Sequence, residues 1–128
     1  MKDFIIILVG FLLLPVISTA QKITKPVADS VLGTWIIDLR PTPDSESYLK
    51  EFKVTKIDGK NFDGEFYGYP FGGGFLNIDW DKIYFAFTTS DQSSTYFHSG
   101  YIEGNKVFGI TLNEIRKFAM PWRGEKKR

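Results

Sequence analysis

Eight short stretches of alternating apolar and polar residues constrain the fold of this chain more than any other feature. Polar turn segments separate these stretches, and no segment after residue 31 has a helical period. Alternation with a period of two is typical of strands buried on one face, and turns at this spacing are typical of all-β sandwiches and barrels. The sequence therefore predicts an all-β domain with strands at 32–40, 48–57, 61–68, 75–79, 82–89, 95–102, 107–114 and 117–125.

The edges of such a sheet favour closure. An aromatic-rich sheet with two unpaired edges invites aggregation, and a barrel removes both edges. We therefore expect a small antiparallel up-and-down β-barrel of about eight strands, with an open sandwich as the alternative. The residues expected to face the interior are Trp35, Ile37, Leu39, Phe52, Val54, Phe62, Gly64, Phe66, Gly68, Ile83, Phe85 and Phe87.

The first 20 residues have the pattern of a secretory signal peptide. Lys2 precedes an apolar run from Phe4 to Leu14, and the small residues Ser18 and Ala20 stand before an expected cleavage at Gln21. A membrane anchor is the alternative, but this run is shorter than the about 20 residues that span a bilayer. We expect a signal-peptide helix at 1–20, a linker at 21–30 and the barrel at 31–126.

The expected mature chain is periplasmic or secreted, without stable membrane insertion. The sequence has no cysteine, so it has no lipoprotein anchor through cysteine, no disulfide and no thiolate metal site. The formal net charge is +1. Such a balance gives no electrostatic reason to expect a nucleic-acid partner.

The segment Gly33-Thr34-Trp35 at the start of the first strand resembles the Gly-x-Trp signature of the lipocalins and the wider calycin group. The resemblance implies a calycin-like barrel whose base is closed by Trp35 under a basic side chain from the last strand. Arg123 is the expected cation, and Arg116 is the alternative. An Arg guanidinium stacked on an indole contributes about 0.5–2 kcal/mol. The resemblance carries over a fold and not a ligand.

Candidate chemistry in the sequence is sparse. His98 is the only histidine, and Ser99 beside it must point to the opposite face of the strand, so the two cannot form a nucleophile–base pair. We expect no enzyme activity, no metal and no cofactor. Asp79 and Asp81 offer oxygen ligands for Ca²⁺, with an exposed acidic turn as the alternative. The glycines at 72–74 predict a mobile loop, either a ligand lid or a plain turn.

The many aromatic residues leave two functions open. The side chains expected to contact a small apolar or aromatic ligand are Phe66, Tyr69, Phe85, Phe87 and His98. The same rings could instead fill the interior, because an eight-stranded barrel is just wide enough for its own side chains or for one small ligand. The alternative function is a protein-interaction module, an inhibitor or an accessory subunit, that uses its loops and an outer aromatic face at 95–102.

Overall fold

A computed structural model of the chain describes residues 24–128, which form one closed barrel of eight antiparallel strands. Each strand pairs with its neighbours along the chain, and the last strand pairs with the first. A short 3-10 helix precedes the first strand. The elements are this helix at Ala28–Val31, β1 at Gly33–Asp38, β2 at Leu49–Asp58, β3 at Asn61–Phe66, β4 at Tyr69–Asn77, β5 at Ile83–Ser90, β6 at Thr95–Glu103, β7 at Lys106–Asn113 and β8 at Phe118–Lys126.

This architecture confirms the expected all-β, up-and-down barrel and excludes the open sandwich, because β1 and β8 are hydrogen-bonded partners from Trp35 opposite Lys126 to Asp38 opposite Arg123. The period of two also assigned most faces correctly, since the interior-facing apolar side chains are buried. The expected signal peptide at 1–20 and the start of the expected linker lie outside the described residues. No helix within residues 24–128 is long and apolar enough to cross a membrane.

The fourth strand differs from the sequence prediction. Residues 72–74 lie inside β4, which begins at Tyr69 and not at 75, so the predicted glycine loop is wrong. The chain turns earlier, where Tyr67 and Gly68 both have positive φ, at 56° and 83°. Two residues with positive φ make the tight turn that suits a β-hairpin, and it ends β3 before Gly68.

Pro121 lies inside β8, within the strand predicted at 117–125. β8 begins at Phe118 and keeps a continuous register with β7, with Pro121 opposite Ile110. A proline is tolerated here because pairing with β1 begins only at Arg123, so the other edge of β8 is free at Pro121.

The Gly-Thr-Trp segment closes the base of the barrel. The indole of Trp35 is fully buried, and its Nε1 donates a hydrogen bond to the backbone oxygen of Val31 at 3.0 Å. The cation over this indole is Lys126, whose Nζ lies 5.6 Å from the ring centre and donates to Ser30 O at 2.7 Å. Gly33 has a φ of 127°, and a Cβ atom there would lie 3.0 Å from the Lys126 side chain. The absence of a side chain at Gly33 therefore leaves the space through which the Lys126 side chain reaches the indole of Trp35.

The prediction of Arg123 as the closing cation is wrong for a geometrical reason. It is three residues before Lys126 in β8, so its side chain points to the outer face, where it is exposed. Arg116, the alternative, precedes β8 and lies at the opposite end of the barrel from Trp35.

We predict that Lys126→Met lowers the free energy of unfolding by about 1–2 kcal/mol, because it keeps the aliphatic stem and removes one cation–π contact and one hydrogen bond. Urea unfolding followed by tryptophan fluorescence measures the change. Lys127→Met and Arg123→Met are the matched controls, since both replace an exposed cation, and we expect each to change stability by less than about 0.5 kcal/mol. Equal effects of Lys126→Met and Arg123→Met would contradict this assignment of the closing cation.

Candidate functional site

The barrel interior is filled at its base and through its middle. Aromatic rings pack face to face and edge to face there, with Phe52 and Phe87 stacked at 5.1 Å between ring centres and Phe71 and Phe87 at 4.2 Å. Gly109 makes room for this packing, because a Cβ atom at that position would lie 2.3 Å from the ring of Trp122. The rings of this aromatic cluster are those of Phe52, Phe62, Phe66, Phe71, Phe85, Phe87 and Trp122.

Above the aromatic cluster the interior opens into a cavity of about 350 Å³ at the end opposite Trp35. Its mouth is ringed by partly exposed tyrosines, which include Tyr48, Tyr67 and Tyr69. The volume is in the lower part of the range of about 300–1,000 Å³ that small-molecule pockets occupy. The side chains that line the cavity are Leu39, Tyr48, Phe66, Tyr67, Tyr69, Thr89, Asp91, Tyr96, His98, Thr111, Arg116, Phe118 and Met120.

The structure divides the predicted ligand-contacting residues into two groups. Phe66, Tyr69 and His98 line the cavity. Phe85 and Phe87 do not line it, because their rings lie deeper in the aromatic cluster, of which only Phe66 also reaches the cavity. Their strand carries inward-facing residues down the full depth of the barrel, and only its last inward residue reaches the open end.

Four hydrogen-bonded side chains, called the polar chain below, run along this part of the wall. The imidazole of His98 is central: its Nε2 lies 2.8 Å from Thr89 Oγ1, and its Nδ1 lies 2.8 Å from Thr111 Oγ1. The indole Nε1 of Trp122 donates to the same Thr111 Oγ1 at 2.9 Å. All four residues are buried. The members of the polar chain are Trp122, Thr111, His98 and Thr89.

His98 is held as a neutral imidazole. Burial lowers the pKa of His98 from 6.5 to about 4. The rings of Phe66 and Phe87 lie against it, with centres 4.3 Å and 4.5 Å from the imidazole. These rings exclude water, which solvates a charged imidazolium much better than they do, so the neutral form is favoured. A neutral imidazole has one donor and one acceptor nitrogen, and both nitrogens here face hydroxyl groups.

Asp91 at the mouth is engaged by its own loop. Its Oδ1 accepts hydrogen bonds from the hydroxyl and backbone N–H of Ser93 and from the backbone N–H of Ser94. Its Oδ2 accepts from the hydroxyl of Tyr96 at 3.0 Å. The hydrogen bonds from Ser93, followed by that from Ser94, hold the pKa of this carboxyl well below its usual range. The carboxylate therefore stabilises the 91–94 turn and keeps Tyr96 in place.

The rest of the mouth carries positive charge and aromatic rings. Lys50 Nζ lies 4.9 Å from the ring centres of both Tyr48 and Tyr67, and the hydroxyls of these tyrosines are hydrogen-bonded to each other. Arg116 lines the opposite side of the opening. Within residues 24–128, no carboxylate lies within 4 Å of its guanidinium group.

The two acids considered for Ca²⁺ lie far from this cavity, in the exposed turn between β4 and β5. Asp79 forms ion pairs with Lys25 and Lys60, and Asp81 pairs with Lys82. In the described part of the chain, no three His, Cys, Asp or Glu side chains come together as a metal ion would need.

Comparison with protein-family models, curated proteins and solved structures finds no match. The structure itself supports the coarse part of the resemblance, a closed eight-stranded antiparallel barrel consistent with a calycin-like fold.

Sequence reasoning missed Thr89 and Thr111, although a usable signal was present. Thr89 continues the inward series of Phe85 and Phe87 by two residues, and Thr111 continues an inward series from Val107 and Gly109. A polar residue at an inward position is the informative exception in a buried strand. What the sequence does not contain is that β5 and β7 place these hydroxyls on opposite sides of the same imidazole.

We predict that acid destabilises the barrel through His98. Below pH 6.5 the histidine of the unfolded chain is protonated, whereas His98 in the folded chain stays neutral until the pH approaches its lowered pKa of about 4. The free energy of unfolding is therefore highest well above pH 6.5 and falls as the pH drops towards 4. The part of this loss that comes from His98 is roughly 3 kcal/mol. Urea unfolding at pH 4–8 measures this slope.

His98→Gln is the matched control, because its neutral amide can contact both threonines and does not titrate. Carboxylates with lowered pKa, such as Asp38, contribute equally to both proteins. The difference between the two curves isolates the histidine. Parallel curves from pH 4 to pH 8 would show that burial of His98 has no such cost.

Proposed function

We propose that this protein is an exported, non-catalytic binding protein that holds one small apolar or aromatic molecule in the cavity at the open end of the barrel. The observation that carries the proposal is the half-filled interior. An aromatic cluster occupies the base and middle, and a space of about 350 Å³ with Phe66, Phe118 and Met120 in its wall is left above it. A mostly apolar concavity with a few convergent polar groups is the usual form of a ligand site.

Binding rather than catalysis is supported by the surroundings of the titratable groups. His98 contacts threonine hydroxyls on both sides, and it has no carboxylate partner among the described residues. The one carboxylate in the cavity wall, Asp91, already accepts hydrogen bonds from Ser93, Ser94 and Tyr96. General acid–base chemistry needs a group that is free to reach the substrate. Export, to a periplasm or out of the cell, is proposed from the signal-like pattern of residues 1–20 alone.

A second candidate function, binding of a protein partner, is favoured by the outer face of β5–β7. Tyr84 and Tyr101 lie with ring centres 6.1 Å apart, and Tyr101 stacks on Phe108 at 5.0 Å. Further along the same outer face, beyond the pair of Ser99 and Ile110, Phe97 and Leu112 are paired across the strands and are 44% and 42% exposed. Contiguous exposed apolar side chains are typical of interaction surfaces.

We predict that Met120→Trp reduces ligand binding by at least about tenfold, because the indole fills the cavity from the wall of β8 and overpacks it when a ligand is present. The probe is 1-anilinonaphthalene-8-sulfonate, titrated by its fluorescence. Ala119→Trp is the matched control, since its side chain is on the outer face of the same strand. If both variants lost probe binding equally, or if neither lost it, the cavity would not be the binding site.

A further inference from the structure

We infer that the ligand of this cavity carries a hydrogen-bond acceptor, such as a carbonyl oxygen, which receives a hydroxyl proton from the polar chain. This inference rests on the proposed function, and it specifies the chemical class of the ligand: an apolar carbonyl compound rather than a hydrocarbon.

The number of hydrogen atoms in the polar chain leads to this conclusion. Each of its four members carries one hydrogen that it can donate: the indole N–H, the two hydroxyls and the single N–H of a neutral imidazole. Three hydrogen bonds join the four groups, and each uses one hydrogen. One hydrogen is therefore left without an acceptor inside the chain.

The position of this hydrogen follows from the direction of the bonds. Trp122 can only donate, so Thr111 Oγ1 accepts from it. If His98 carries its proton on Nε2, Thr111 donates to Nδ1, Nε2 donates to Thr89, and the Thr89 hydroxyl keeps a free hydrogen. If the proton is on Nδ1, Thr89 donates to Nε2 and the Thr111 hydroxyl keeps it. In both tautomers the free donor is a threonine hydroxyl.

Both threonines are placed to offer that hydrogen to a ligand. Thr89 is 6% exposed and Thr111 is 4% exposed, and both line the cavity. Neither hydroxyl has another hydrogen-bond partner anywhere in residues 24–128. A buried donor without an acceptor is costly. The acceptors in the cavity wall, such as Asp91 and Tyr96, are not hydrogen-bonded to either threonine. An occupant with an acceptor at this point removes the cost, and a hydrocarbon of the same shape does not.

Two probes of nearly identical shape test the inference. 2-Acetylnaphthalene presents a carbonyl oxygen where 2-isopropenylnaphthalene presents a methylene group. Displacement of 1-anilinonaphthalene-8-sulfonate gives the affinity of each probe. We expect the ketone to bind about three- to tenfold more tightly, which is the usual net value of one hydrogen bond.

Four variants identify the donor. We expect the preference for the ketone to disappear in either Thr89→Val or Thr111→Val, according to which hydroxyl carries the free hydrogen, and to persist in the corresponding serine variant. Thr88→Val is the control, since Thr88 is the exposed outward neighbour on β5. Thermal unfolding checks that each variant is folded, and the comparison of the two probes on the unaltered protein is decisive even where a valine variant does not fold.

The outcomes separate this inference from the proposed function. Equal affinity for the two probes, or a preference that survives both valine variants, overturns the inference and leaves a ligand-binding cavity. Failure of both probes to bind overturns the inference together with the proposal on which it rests.

Discussion

The pairing of β1 with β8 is the constraint on which the rest of this structure depends. Only four residue pairs make this seam, from Trp35 opposite Lys126 to Asp38 opposite Arg123. Lys126 strengthens it at the base, since it crosses the indole of Trp35 and binds the backbone of Ser30. Closure gives the sheet a single interior and pairs the two strands that would otherwise be its edges. The aromatic cluster, the cavity and the buried histidine all exist because that interior is enclosed.

Inside the closed barrel, the filled core and the cavity are separated along the axis. The base and middle are filled by aromatic rings, helped by Gly109, which leaves space for the indole of Trp122. The open end holds the smaller or polar side chains of Thr89, His98 and Thr111. Trp122 connects the two halves, because its ring belongs to the aromatic cluster and its N–H begins the polar chain. The proposed ligand at the open end would therefore rest on a packed aromatic floor, and a preorganised floor lowers the entropy cost of ordering a site.

How well the sequence predicts a feature of this structure depends on how far apart in the chain the residues that determine it lie. Alternation and turn residues are local, so they predicted the barrel and most of its strands. The prediction of the β3–β4 turn failed because Tyr67 has a positive φ, which is uncommon outside glycine, asparagine and aspartate. By residue type, the glycines at 72–74 are the better candidates for a turn. The prediction of Arg123 as the closing cation failed for a different reason, the register of β8 against β1. Trp35 lies opposite Lys126, and Arg123, three residues earlier, points to the other face of β8. The cavity depends on which aromatic side chains from different strands contact each other, and local sequence patterns do not predict those contacts.

The central claim is that the barrel interior is a binding site and not only a core, and native mass spectrometry tests it most directly. The protein is isolated from the cells that naturally produce it and is weighed under native and then denaturing conditions. The account predicts an additional small organic mass that is lost on denaturation and that contains a carbonyl group. A bare polypeptide mass, or only multiples of that mass, would contradict it, and multiples would direct attention to the outer face of β5–β7.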